Sequence, residues 1–170
     1  GSIETDVSYL REETKKGFAI RYKNQPGVWE SHIEKELAII QNKGFIAYYL
    51  IADDLIQHAK RQGYDFVGRG SGANSTVAFC LGITNVDPIE LNLYFERFLN
   101  EERVTPPDFD IDFSWDNRDA IYEYIFDRYG YDHVCLLGTH TTYQEKSVLR
   151  ELGKVFGLPK EEIDTLVDTR

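Results

Sequence analysis

Methionine is absent from the 170 residues, and cysteine occurs only twice, as Cys80 and Cys135. Each cysteine sits in an apolar run, VAFCLGI and HVCLLG, and the two lie far apart, so buried free thiols are expected rather than a disulfide. No CxxC or HxxxH spacing occurs, which removes the usual zinc signatures. No run reaches the roughly 18 apolar residues of a membrane-spanning helix. The opening residues lack the basic and apolar stretches of a secretory leader. Gly1-Ser2 reads instead as the scar of a cleaved tag, so the chain is expected to be a piece of a longer protein. Positive charge is in deficit: 19 Lys and Arg stand against 29 Asp and Glu, a net charge of −10. That balance argues against a dedicated nucleic-acid-binding module, which is usually basic.

What remains is an ordinary globular composition, 42% hydrophobic and 28% charged. After a polar stretch ending in the turn Asn24-Gln25-Pro26-Gly27, Trp29, Ile33, Leu37 and Ile40 recur at helical spacing, with Glu34, Lys35 and Glu36 assigned to the opposite face. Gly44 stops that helix, and Gly63 stops the next, YYLIADDLIQHAKRQG. Tyr64 to Val67 reads as a short strand, Ser75 to Leu81 as a helix, and Leu93 to Leu99 as a short helix or turn. Pro106-Pro107 breaks the chain before DFDIDF, whose strict alternation is a strand pattern. A helix over 116–128 with Ile121, Ile125 and Phe126 inward, a strand over 134–137, a helix over 141–156 and a last one from Pro159 to Val167 complete the reading.

Three carboxylates carry the chemistry of DFDIDF. In a strand, Asp108, Asp110 and Asp112 point to one face and Phe109, Ile111 and Phe113 to the other. A solvated acidic edge would explain the pattern, since edge strands often carry charge. Carboxylates about 6–7 Å apart along a strand also suit Mg²⁺ or Mn²⁺, which take oxygen ligands and bind substrate phosphates in the same shell. GRGSGANS offers closely spaced glycines whose N–H groups can approach a phosphate, with Arg69 and Ser71 as further donors. The same turn loosely matches a dinucleotide fingerprint, Gly68-x-Gly70-x-x-Ala73 followed by Asp87 and Glu90, although no strong second strand accompanies it. Lys146, Arg150 and Lys154 form one helical stripe, either a solvated face or one that meets a nucleic-acid backbone. His140 reads as a loop histidine or a candidate base, and Arg97 and Arg103 flank the acidic strand.

Taken together, VGRGSGANS, ITNVDPIELNLYFERFLN, PPDFDIDF and GTHTTYQEKSVLRELGKVFG, in this order and spacing, resemble the alpha-subunit family of bacterial DNA polymerase III, the C-family replicative polymerases. The upstream GFIAYYLIADDLI is similar to the segment before that family's Gly-Ser motif. The resemblance implies an α+β fold: a polymerase-β-like nucleotidyltransferase palm, a mixed sheet with flanking helices, followed by the start of a helical thumb. The division it implies is a lead-in over 1–28, palm over 29–138 and thumb from 139 to 170. Asp108 and Asp110 then match two of three catalytic, metal-binding aspartates, with Asp112 a further candidate ligand. Arg69, Gly70 and Ser71 match the motif facing the incoming triphosphate, and Lys146 and Arg150 match a thumb helix near primer-template DNA. Two Mg²⁺ ions, with Mn²⁺ as substitute, a dNTP, a replication clamp and other replisome subunits follow as expected cofactors and partners. A cytoplasmic location and no membrane contact follow too. The third aspartate, the fingers and the clamp-binding region are expected beyond these residues, so the segment alone is expected to lack turnover. Asn74, where relatives often carry Gly, together with the ITNVDP and SWDN wording, points to a divergent branch, accessory or error-prone. Two rival readings use the same residues: a metal-dependent phosphohydrolase with His140 as base, and a non-catalytic nucleotide-binding or interaction domain built on GRGSGANS.

Overall fold

The computed structural model describes residues 3–100, 102, 105, 108–138, 140 and 142–168. They form two compact units, one running to His133 and the other from Val134. In the first, α1 (Ile3–Arg21), a π-helical turn (Trp29–Ile33) continued by α2 (Glu34–Asn42), and α3 (Ile46–Gln62) precede β1 (Phe66–Arg69). A 3₁₀ turn (Gly70–Asn74) leads into α4 (Thr76–Leu81), and β2 (Asp110–Phe113) is followed by α5 (Arg118–Tyr129). The second unit holds α6 (Glu145–Val155) and α7 (Lys160–Asp168), where Gly153 admits Ile163 to close contact and Ile163 and Val167 are buried.

The polar opening stretch is a helix. Leu10 and Thr14 of α1 are buried with Tyr22, and Gly17 lets α1 approach the Cys80 carbonyl of α4 so closely that a Cβ would collide with it. Ile33, Leu37, Ile40, Tyr49, Ile56 and Val77 complete one core with them. α4 lies in the middle of it, buried along its whole length.

The fold is α+β and mostly helical, with a smaller sheet than expected. β1 and β2 pair antiparallel in register Phe66 with Phe113, Val67 with Asp112, Gly68 with Ile111 and Arg69 with Asp110, and they are the only strands among the described residues. Residues 134–137, expected as a strand, join no ladder among the described residues, and Leu136, Leu137 and Cys135 are exposed. An apolar run becomes a strand only where a neighbouring strand takes its N–H and C=O groups. Of the two thiols, only Cys80 is therefore buried. α6 begins at Glu145 rather than 141, and its Leu152 is half exposed. Arg103, Pro106, Pro107 and Thr141 lie outside the described residues. No described helix is long and apolar enough to cross a membrane.

Candidate active site

The site is built on the two-stranded ladder. Because the register opposes Arg69 to Asp110 and Val67 to Asp112, these four side chains share the exposed face, while Phe66, Ile111 and Phe113 share the other. Phe66 and Phe113 meet there with ring centroids 6.2 Å apart. Alternation in DFDIDF thus does what its pattern foretells over residues 110–113: one face anchors the strand and the other presents carboxylates. Phe109, just before the strand, packs on Tyr49 (5.0 Å) and Phe98 (5.0 Å), and its N–H donates to the Tyr48 hydroxyl (2.8 Å). Those contacts fix where β2 starts.

Arg69 lies between the carboxylates. Its Nε donates to Asp112 Oδ2 at 2.6 Å, and Nη1 stands 3.7 Å from Asp110 Oδ2. The hydrogen bond and charge of Asp112, then the charge of Asp110, raise the guanidinium's pKa. Asp108 precedes the strand and is exposed. Among the described residues, no three Asp, Glu, His or Cys side chains are grouped closely enough to hold a metal. The face is therefore an Arg-bridged pair of carboxylates with Asp108 beside it, not a row of three. Its donors are hard oxygens, the chemistry a Mg²⁺ or Mn²⁺ ion takes.

The glycine turn meets this face at Gly70. Its φ is +72°, a left-handed value, and a Cβ there would run into the Asp110 carboxylate. Gly68 likewise abuts the Ile83 carbonyl, and Gly72 abuts the Phe109 ring. Ser71 is half-buried, its carbonyl accepting a hydrogen bond from Asn74 Nδ2 (2.8 Å). Asn74 thus closes the turn.

Behind the turn stands Glu36, which the helical reading had put on the solvent side. It is 3% exposed. Its carboxylate accepts hydrogen bonds from Ser75 Oγ (2.9 Å), Thr76 N (2.8 Å) and Val77 N (3.0 Å). Ser75 also caps α4 by accepting from Ala78 N and lies 3.2 Å from the Tyr49 hydroxyl. Burial pushes the Glu36 carboxyl up to about 7, against the hydrogen bonds that favour its charge. The signal was in the spacing: Ile33, Glu36, Leu37 and Ile40 follow i, i+3, i+4 and i+7, so Glu36 belongs to the buried stripe.

The other candidates are dispersed. Asp87 Oδ1 accepts from the Tyr22 hydroxyl (2.7 Å) and from Ile89 N (2.9 Å), so it organises its own turn rather than awaiting a ribose. Glu90 is exposed. Arg97 is exposed on a short 3₁₀ turn, Phe95–Arg97, whose neighbours Phe98 and Leu99 are fully buried. His140, Lys146, Arg150 and Lys154 belong to the second unit. There Arg150 Nη2 is 3.8 Å from Asp164 Oδ1, and Lys154 donates to Glu151 at 2.7 Å.

A family model described as the bacterial DNA polymerase III alpha NTPase domain matches residues 8–170. The chain belongs to this DNA polymerase III alpha family. Among its relatives, the error-prone DNA polymerase of Pseudomonas syringae pv. tomato (strain ATCC BAA-871 / DC3000) is 42% identical over 166 residues, covering 97% of this chain and 16% of that protein. The error-prone DNA polymerase of Azoarcus sp. (strain BH72) is 41% identical over 164 residues, 96% of this chain and 15% of the relative. That of Vibrio campbellii (strain ATCC BAA-1116) is 39% identical over 164 residues, again 96% of this chain and 16% of the relative. The chain thus spans about a sixth of the length of these relatives.

Proposed function

We propose that this chain is the palm and the beginning of the thumb of a DNA-directed DNA polymerase, with the palm over 29–138 in a polymerase-β-like arrangement and the thumb from 139. The observation that carries the reading is the junction of two motifs: the Gly-Ser turn and the acidic strand share one ladder, and Gly70 backs onto Asp110. A phosphate-binding turn and a metal-binding carboxylate must be adjacent if one is to hold the triphosphate of a dNTP and the other its cation.

In this reading Asp108 and Asp110 hold Mg²⁺, with Asp112 available as a further ligand. The ion, when bound, lowers the pKa of a primer hydroxyl and neutralises phosphate charge. Arg69 keeps the two strand carboxylates aligned and transfers its fork to phosphate oxygens when a nucleotide arrives. Gly70 and Ser71 supply backbone and hydroxyl donors at close approach, and Glu36 holds the turn and α4 in place behind them. Lys146 and Arg150 meet the primer-template backbone. Clamp and replisome contacts belong to other parts of the whole protein, and residues 1–170 by themselves do not extend a primer.

Manganese titration followed by amide NMR tests the site. Relaxation should centre on residues 108–112 and fade in Asp110→Asn and Asp108→Asn. It should strengthen in Arg69→Ala, because the guanidinium competes with the cation for the same oxygens. Broadening spread evenly over the acidic surface, unchanged by all three substitutions, would overturn the assignment.

A further inference from the structure

We propose that the open cleft bordered by α1, α3 and the C-terminal end of α4 is a phosphate-binding site held by Arg21 and Lys60. The cleft measures about 340 Å³ and is lined by both cations together with Gly82 and Cys80. Lys60 Nζ and Arg21 Nη2 lie 2.5 and 3.5 Å from the point a Cβ on Gly82 would occupy, so two positive groups converge on one spot. Gly82 has φ +77°, and its lack of a side chain leaves the space between them open.

In a chain of net charge −10, cations this close ordinarily share a carboxylate. Of the two acids in the wall, Glu13 takes Lys16 at 2.6 Å, and Asp53 accepts from Gln57 at 3.0 Å while its charge also acts on Lys60 without a direct contact. Among the described residues, neither Arg21 nor Lys60 forms an ion pair. Arg21 is fixed instead by the Phe79 ring, 4.1 Å from its guanidinium carbon, and by Asn85 Oδ1 at 3.4 Å. The carbonyl end of α4 offers only a partial negative charge. Burial, then the charge of Arg21, lowers the pKa of Lys60, against the nearby charge of Asp53, which raises it. A phosphate dianion supplies both charges and acceptors for both donors. The site does not rest on the polymerase reading: Asp110→Asn, which abolishes the proposed metal site, leaves it intact.

Inorganic phosphate titrated at constant ionic strength against chloride tests it, followed by amide NMR and melting temperature. Shifts should centre on Cys80, Gly82 and Lys60, and Lys60→Gln and Arg21→Gln should each weaken binding about tenfold. A 5′-phosphorylated oligonucleotide compared with its dephosphorylated form separates the sources. Tighter binding of the phosphorylated form identifies a nucleic-acid end, and no difference while free phosphate still binds identifies the small ion. Should Arg21→Gln fail to fold, Lys60→Gln decides the matter alone. Phosphate affinity unchanged in Lys60→Gln, or shifts no different from those of chloride, would overturn the proposal.

Discussion

A single carboxylate, Glu36, ties the core to the glycine turn. Glu36→Ala strands two backbone N–H groups and a hydroxyl in a buried place, and should cost about 3 kcal/mol in urea denaturation. Its titration carries a pH signature. With its folded pKa raised from 4.5 to about 7, the folded chain holds a proton that the unfolded chain has released. The stabilisation from this group is therefore full below about 4.5 and is lost as pH rises through about 7. Glu36→Gln should remove that decline, which a comparison of the two proteins' stabilities across the window would show. Gly70 is the second decisive residue. Gly70→Ala meets both a left-handed φ and the Asp110 carboxylate, so a loss of about 1–2 kcal/mol is expected, with weakened manganese binding at Asp110. A melting temperature and manganese response equal to the parent's would show that the turn tolerates a side chain there.

Among the elements, α5 depends on an anchor in α3. Asp54 accepts from the Tyr124 and Tyr129 hydroxyls, both at 2.8 Å, and from Arg128 Nε at 3.3 Å, while His58 stacks on Tyr124 at 3.5 Å. Burial works against the Asp54 charge, yet these donors together lower its pKa. Asp54→Ala should loosen α5 by about 1–3 kcal/mol, read as faster amide exchange across α5 while α2 is unaffected. The α6 stripe calls for a graded expectation. Arg150 and Lys154 already have acidic neighbours, so Lys146→Ala should take the larger share of any DNA contact. Its loss should flatten the slope of log K against log salt by about 0.9. Melting temperature should stay nearly constant, since exposed charges contribute little to stability. Alternation made β2 legible in the sequence, whereas residues 134–137 looked equally strand-like and pair with nothing among the described residues. Pairing is decided by a neighbour, and local pattern does not name one.

For the whole molecule, the same net charge of −10 that argued against nucleic acid accompanies an exposed acidic face bridged by one arginine. Under the proposed reading, in which the third catalytic aspartate belongs to another part of the whole protein, primer extension by these residues alone should be undetectable with Mg²⁺ or Mn²⁺. Robust metal-dependent incorporation would instead show that Asp112 completes the set.

The motifs, their order, the family and the exposed face of β2 were determined by the sequence, because glycine spacing and period-two alternation are local properties that a chain carries wherever it packs. The helical α1 at the core, the burial of Glu36, the exposure of Cys135 and the convergence of Arg21 with Lys60 were decided only in three dimensions. Each depends on which distant segment arrives beside it. Glu36 meets Thr76 and Val77 some forty residues on, and Arg21 meets Lys60 across the end of α4. A buried charge is unfavourable in isolation, so no local preference foretells it; for Glu36 the donors brought by the fold hold the carboxylate there.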